Sequence, residues 1–486
     1  MIIARALAAA AIAAGLAAWV VFLRMGLVLA HYDAKAHLVV ARRIFDNITP
    51  GWQQIGAIWL PLPHLIHALP TQLDLFYRTG AFASLVSVAC LGVTTYAGAR
   101  LVLLMTGSRL AACVAAALLV LNPNILYIHV TPMTEPLLLA AVSLVVLWLY
   151  EWVPLNQDSV PVRLRLALVA ATWTRYEAWP VLAAALAAAL YAGWRLGAAP
   201  GVIARRAWRL GVWPAAAVGL FMVNSRITVG DWLVSDGFYV PDPTYEGELL
   251  RSVLAVWWGT HELGTRVTEV IACAAAGFLV IRALTRAAAA PLLVPAALVA
   301  YGVLPALAFH AGHPFRIRYM LPAAACSALF AGVAVGFLRR EAAAVLAGCL
   351  VGIGLIQSPP WHADAPLLAE AQWDRPSSDG RREVTGCLAA GYRGDKVMAS
   401  MGSLAHYMQE LSLAGFTIAD FIHEGNGPIW AHAVETGPAP HAGWMLVEEQ
   451  AEGGDVLARR IRDDPPFAQG MERVCDGGGV ALYRRR

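Results

Sequence analysis

Charge is what this 486-residue chain has least of: Asp, Glu, Lys and Arg together make up 14% of it, against 59% hydrophobic residues. With a mean hydropathy of +0.58, that shortage excludes an ordinary soluble domain and points to a polytopic membrane protein. Lysine is nearly missing. Lys35 and Lys396 are the only two among 36 basic residues, which beside the alanine richness reads as the signature of a GC-rich genome. The seven cysteines have no metal-type spacing, which removes zinc-finger and ribbon classes. No GxGxxG or P-loop pattern occurs, so nothing suggests nucleotide binding, and no nucleic-acid partner is expected. Internal repeats and low-complexity linkers are lacking as well.

What is present is a succession of apolar segments. The stretch from Ile2 to Ala30 is too long for a signal-peptide core and lacks a cleavage site, so it reads as a retained span with Arg5 holding its start in the cytoplasm. Further segments fall at roughly 80–104, 109–129, 135–150, 163–174, 177–194, 207–226, 265–284, 288–309, 317–338 and 341–357, which makes about eleven transmembrane helices. Alternating sides from a cytoplasmic N-terminus puts Arg100 and Arg109, Arg163 and Arg165, Arg195, Arg205, Arg206, Arg209, Arg282, Arg286, Arg339 and Arg340 inside, as the positive-inside rule asks. The other side receives the loop at 31–79, the turns at 129–136, 172–180 and 310–320, the loop 227–264 and everything from Ser358. Every polar cluster lands on that one face.

The charge balance changes at Gln357. Up to it there are 24 basic and 15 acidic residues, and beyond it 12 and 18. The expected organisation is therefore a transmembrane catalytic domain over 1–357 and a soluble extracytoplasmic α/β domain over 358–486, in a multi-pass protein of a bacterial inner or plasma membrane. KVMAS (396–400), GWMLVEE (443–449) and GVALYRR (479–485) read as strands, and SLAHYMQELSLAG (403–415) as a helix ended by glycine. Cys387 and Cys475 both fall in this tail and could pair if it lies outside the cytoplasm.

The densest polar stretch is His31 to Pro70. A helix from about Ala34 to Asn47 would carry Leu38, Ala41 and Phe45 on one side and Lys35, Arg42, Arg43 and Asp46 elsewhere, an amphipathic helix suited to the bilayer surface. Asp33 stands at its mouth. An N-cap is a sufficient structural role for it, and the chemical one is a general base, with His37 one turn on and Lys35 near enough to hold it ionised. Trp59 suits a sugar face or an interfacial anchor equally. His64 and His67 share a helix face without an adjacent third ligand, so they read as structural or substrate-contacting histidines rather than a metal pair.

Three later stretches carry the other candidates. Glu135 opens a span, where it complements the helix dipole or serves the chemistry of the same face. Arg175 and Glu177 form a local ion pair or contact a donor. Tyr239 sits with Asp236, Tyr245, Trp257 and Trp258 in a loop whose composition suits a saccharide. In HPFRIRYM, His313, Arg316, Arg318 and Tyr319 stand where the positive-inside rule disfavours arginine; a phosphate would account for the two, and snorkelling to headgroups is the structural alternative.

Taken together, the N-terminal span followed by YDAKAH, ARRIFD, PGWQQIG and WLPLPHL, with TEP, TRYEAW and HPFRIRYM later, resembles the bacterial family 39 branch of the GT-C glycosyltransferases, relatives of protein O-mannosyltransferases and lipid A aminoarabinose transferases. The resemblance covers residues 1 to about 357. It implies a polyprenyl-phosphate-sugar donor, inverting transfer outside the cytoplasm to a glycan, lipid or protein acceptor, membrane lipids as surroundings, and an acidic base in the first loop, which maps onto Asp33. Many relatives carry two adjacent acids there, whereas here Asp33 is followed by Ala34 and Lys35, which leaves Glu135 as a candidate second carboxylate and a divalent cation as an open question. Without a metal, charge on the leaving phosphate would fall to Arg316 and Arg318, with Lys35 as a third cation. Two other classes compete: a transporter or flippase for a lipid-linked saccharide, which would show inverted repeats and polar residues lining a path through both faces, and an inactive relative that assembles envelope partners.

Overall fold

The computed structural model describes every residue except 156, 158, 235–240, 452 and 453. Among the described residues eight helices are long and apolar enough to cross a membrane: Ile2–Arg24, Ala81–Thr106, Glu135–Leu155, Pro200–Thr228, Arg266–Thr285, Ala287–His310, Ile317–Gly336 and Arg340–Gln357. The chain is an integral membrane protein. The remaining three apolar segments are helical but shorter or more polar. Segment 109–129 breaks at Asn122, whose side chain accepts the N–H groups of Asn124 and Ile125 and starts the short helix Pro123–Ile128, leaving Arg109–Val120 with 12 residues. Val162–Thr172 has 11 residues and Ala178–Arg195 has 18, against the roughly 20 that a hydrocarbon core of about 30 Å requires. The stretch 227–264, expected as a loop, contains the helix Leu249–Leu263.

By packing, the chain divides into two compact units: Met1–Met25 with Ser84–Phe221 and Asp242–Glu370, and Gly26–Ala83 with Met222–Pro241 and Ala371–Arg486. The first is a helical bundle whose core runs through Val102, Leu138, Val145, Leu168, Leu182, Leu279 and Val333. Small residues let its helices approach closely. At Gly332 a Cβ would stand 2.6 Å from the Ala115 Cβ and 2.8 Å from the Ala111 carbonyl oxygen, so only glycine fits between these two helices.

The second unit is built on a five-stranded mixed sheet of β1 (Val397–Ala399), β2 (Phe421–Ile422), β3 (Trp444–Glu448), β4 (Met471–Gly477) and β5 (Val480–Arg485) in the order β2-β1-β3-β5-β4. β1 runs parallel to β2 and β3, while β5 is antiparallel to β3 and β4. Both faces are covered. Val397, Trp444 and Leu446 pack with Leu404, Tyr407, Met408 and Leu411 and with Leu38 and Val39 of the first loop, while Met398, Met445 and Val447 pack with Trp430, Leu457 and Phe467. Burial on two sides is why β1 and β3 read as continuous apolar runs. Helix Met401–Leu411 ends, after one 3-10 turn, at Gly415 with φ +96°, as its sequence suggests. Cys387 and Cys475 are joined by a disulfide that ties helix Arg375–Gly391 to β4.

Candidate active-site clusters

In the second unit the first-loop helix runs Tyr32–Arg42, and its N-cap is His31, whose Nδ1 accepts the Asp33 N–H at 3.1 Å. Asp33 is therefore inside the first turn and is not the cap. That corrects the structural role expected for it and places a carboxylate at the positive end of the helix. Nor does this helix lie on a bilayer surface: every residue from Asp33 to Arg42 is buried. Its apolar residues enter the sheet core, Arg42 pairs with Asp46 and Asp74 of the same loop, and Lys35 meets a partner from the tail. Lys35 Nζ pairs with Glu410 of helix Met401–Leu411. Glu410 also accepts from Ser378 Oγ at 2.8 Å and lies 3.6 Å from Arg381, which in turn holds Asp374 at 2.8 Å. Burial alone would raise the Glu410 pKa, but Lys35 and Arg381 outweigh it and the shift is downward.

The rest of the loop is anchored in the same way. Asp46 accepts from Arg42 at 2.7 Å and from the backbone N–H groups of Ile418 and Ala419 at 3.2 and 3.0 Å. Arg43 donates to the Gln54 and Ile55 carbonyls and to the Met401 sulfur, and Gln54 Nε2 donates to Gly425 O at 2.7 Å. The glycine-rich turn EGNG (424–427) thus serves as a socket for the first loop.

Three expected residues come together beside this anchor. His37 Nδ1 and His64 Nε2 are 3.1 Å apart, the His37 and Trp59 rings lie 4.2 Å apart, and Trp59 stacks on His64 at 5.8 Å. Burial, and then the charges of His37, Arg43 and His67, hold the His64 pKa well below its usual value, so it is a neutral hydrogen-bonding group at ordinary pH. His67 faces away, edge-on to Phe82 at 6.0 Å, and burial lowers its pKa to about 4. The His37–His64 pair supplies two nitrogens, and among the described residues no group of three or more His, Cys, Asp or Glu side chains is arranged to hold a metal ion.

In the first unit, residues 40 positions apart converge. Arg175, in the turn between helices Val162–Thr172 and Ala178–Arg195, lies 3.0 Å from Glu135 and 2.5 Å from Glu177, and donates to Thr134 Oγ1 at 2.8 Å. The local Arg175–Glu177 pair is present, and Glu135, only 1% exposed, completes a triad. Burial would lower the Arg175 pKa, yet Glu135 and Glu177 more than offset it, and the shift is upward against the opposing charge of Arg318. Arg318 is buried and its guanidinium lies 5.5 Å from the Tyr319 ring. His313 sits edge-on to Tyr319 at 5.4 Å with its Nδ1 2.9 Å from Pro314 O. Next to Arg316 and Arg318, the Ile317 N–H donates to Glu370 Oε2 at 2.9 Å. Tyr239 lies outside the described residues.

No family model matches the chain, and no curated protein matches it. Solved structures do. The crystal structure of ArnT from Cupriavidus metallidurans in the apo state matches over 96% of this chain and 96% of its own, with a TM-score of 0.55 at 13% identity. The fold is of the GT-C type. The likeness is to the GT-C fold as a whole and not to the family 39 branch in particular. Within this fold, Glu410, Arg381, Asp374, Glu370 and the EGNG turn are polar groups that no sequence motif marks. Nothing in SLAHYMQELSLAG marks Glu410 as the partner of a lysine 375 positions away.

Proposed function

We propose that this chain is an inverting glycosyltransferase that moves a sugar from a polyprenyl-phosphate carrier to an acceptor hydroxyl on the extracytoplasmic face, with 1–357 as the membrane catalytic part and 358–486 as an extracytoplasmic domain. The observation that carries the reading is a GT-C fold whose first loop buries a carboxylate, Asp33, in the opening turn of a helix capped by another residue. The neighbour in fold, ArnT, is an aminoarabinose transferase. The tail disulfide supports an oxidising compartment for that domain.

In this reading Asp33 accepts the proton of the acceptor hydroxyl as its oxygen attacks the anomeric carbon opposite the phosphate. The transition state has oxocarbenium character, and negative charge builds on the departing lipid phosphate. Arg316 and Arg318 meet that charge, since guanidinium forks suit phosphate oxygens. His37, Trp59 and His64 offer an aromatic and hydrogen-bonding surface for a sugar, while Lys35, bound to Glu410, secures the helix that carries Asp33. His313 and Tyr319 flank Arg318, and the Arg175 triad shapes the same outer end of the bundle. Tyr239 remains a proposed saccharide contact on sequence grounds.

The test is to incubate the purified protein with a panel of polyprenyl-phosphate monosaccharides and follow donor consumption. Asp33→Asn is expected to lower turnover by about 10² to 10⁴-fold, the usual range for a lost general base, with unchanged thermal stability and donor binding. An Asn variant with wild-type turnover would remove Asp33 from the mechanism.

A further inference from the structure

The first unit holds a second polar site, formed where helices Arg109–Val120, Leu249–Leu263, Arg266–Thr285, Ile317–Gly336 and Arg340–Gln357 leave a pocket between them. Glu269 lines it. Its side chain is 5% exposed, and its Oε2 accepts no hydrogen bond. Among the described residues the basic side chain paired with Glu269 is His261, with Nδ1 3.6 Å from Glu269 and Nε2 3.3 Å from Glu262, and neither imidazole nitrogen is hydrogen-bonded. One imidazole thus stands between two carboxylates, and no lysine or arginine lines the pocket.

Four other polar lining groups spend hydrogens on the protein. Thr260 Oγ1 donates to Val256 O at 2.7 Å, Ser327 Oγ to Ala323 O at 3.1 Å, Thr265 Oγ1 to Thr268 Oγ1 at 2.8 Å and Asn122 Nδ2 to Leu263 O at 2.6 Å. What they still present is lone pairs. The pocket is rich in acceptor oxygens and places a carboxyl group inside an apolar bundle, where a buried acid without a hydrogen-bond donor is costly. A hard divalent ion would want six or more oxygen ligands with several carboxylates, and only one carboxylate lines this site. The remaining lining is aliphatic, and two of its members, Leu121 and Leu355, are exposed on the outside of their helices, where a span meets acyl chains.

We propose that this pocket binds the primary ammonium head of a membrane amphiphile, with Glu269 accepting one N–H and the oxygens of Thr260 and Ser327 accepting others. An ammonium brings a positive charge and three donors to these acceptor oxygens, and its acyl portion leaves along Leu121 and Leu355. A quaternary ammonium brings charge without N–H donors and is the discriminating control.

The experiment places the full-length protein in nanodiscs of equimolar phosphatidylethanolamine and phosphatidylcholine and counts co-purifying lipid by native mass spectrometry. Phosphatidylethanolamine is expected to be retained preferentially, with Glu269→Gln lowering that preference about tenfold, as for loss of one charge-assisted hydrogen bond. Ser327→Ala gives a smaller loss in the same direction. Ser143→Ala, which changes the lining of a different pocket, leaves the preference unchanged. Dodecylamine displaces the bound lipid, whereas dodecanol and soluble ethanolamine do not. Equal retention of the two phospholipids, or a preference untouched by both pocket variants, overturns the site; displacement by ethanolamine alone overturns the amphiphile and leaves a site for soluble amines. Retention is read without turnover, so its failure is separate from any failure of the transferase reading.

Discussion

The two units both keep charge away from water, and they do it in opposite ways. In the first, Arg175 takes one carboxylate from Glu177, two residues on, and one from Glu135, forty residues back, and holds them with a planar fork at 2.5 and 3.0 Å. In the second, Lys35 is a point charge whose partner, Glu410, comes from the other end of the chain and is shared with Arg381 and Ser378. The first arrangement depends on one cation, so it is strong and brittle. The second spreads the Glu410 carboxylate over Lys35, Arg381 and Ser378, so loss of Lys35 is partly absorbed.

The largest effect is expected from Arg175→Met, which removes the guanidinium that Glu135 and Glu177 share. A broken buried pair of this kind costs about 3–5 kcal/mol, to be read as a lower unfolding temperature in detergent, and adding Glu135→Gln with Glu177→Gln should recover much of it. A single variant as stable as wild type would end the contrast. Next comes a double-mutant cycle on Lys35 and Glu410. Glu410→Gln takes away the carboxylate that Lys35 pairs with and should cost about 2 kcal/mol, whereas Lys35→Met leaves Glu410 with Arg381 and Ser378 and should cost about 1 kcal/mol. Equal costs, or a coupling near zero, would show that the tail does not hold the first loop through this pair.

The smallest effect sharpens the comparison through pH. Glu448, on β3, feels burial first and then Arg381 and neighbouring acids, and its pKa is pushed up to about 7. Because the folded state binds this proton more tightly than the unfolded chain, the associated stability is full below about pH 4.5 and is lost as pH rises through 7. Glu448→Gln should therefore stabilise the protein by about 1 kcal/mol at pH 8, after discounting for solvent screening, with the gain fading below pH 5; a pH-independent gain would contradict the assignment. His406 and His423 act with the other sign. Burial lowers them to about 4 and about 3, so their contribution is full above pH 6.5 and disappears as the pH falls through those values.

Some of this was legible in the residues themselves. KVMAS and GWMLVEE contain β1 and β3 because a strand covered on both faces reads as an apolar run, and GVALYRR contains β5, whose first three residues are buried. β4, with the pattern MERVCDG and most of its residues exposed, and β2, two residues long, carry no such signature. Arg175 and Glu177 declare their pairing by proximity. The cap at His31 was hidden, since Asp33 is the stronger capping residue by type and the helix begins two residues earlier. Helix Leu249–Leu263 was masked by tryptophans and charges that suit a loop as well as an amphipathic helix.

Composition alone determined that the chain crosses a membrane many times, because runs of apolar residues at this length have no other stable solution in water. It also determined that the acidic tail is a separate kind of structure and which short motifs carry charge. Only the tertiary structure decided what those charges meet. Whether Lys35 faces a substrate or Glu410, whether Glu135 merely opens a helix or joins Arg175, and whether Glu269 has a hydrogen-bond donor are contacts between residues far apart in the chain. Local propensity carries no information about such contacts; they are settled by the cost of leaving a buried charge or polar atom without a partner.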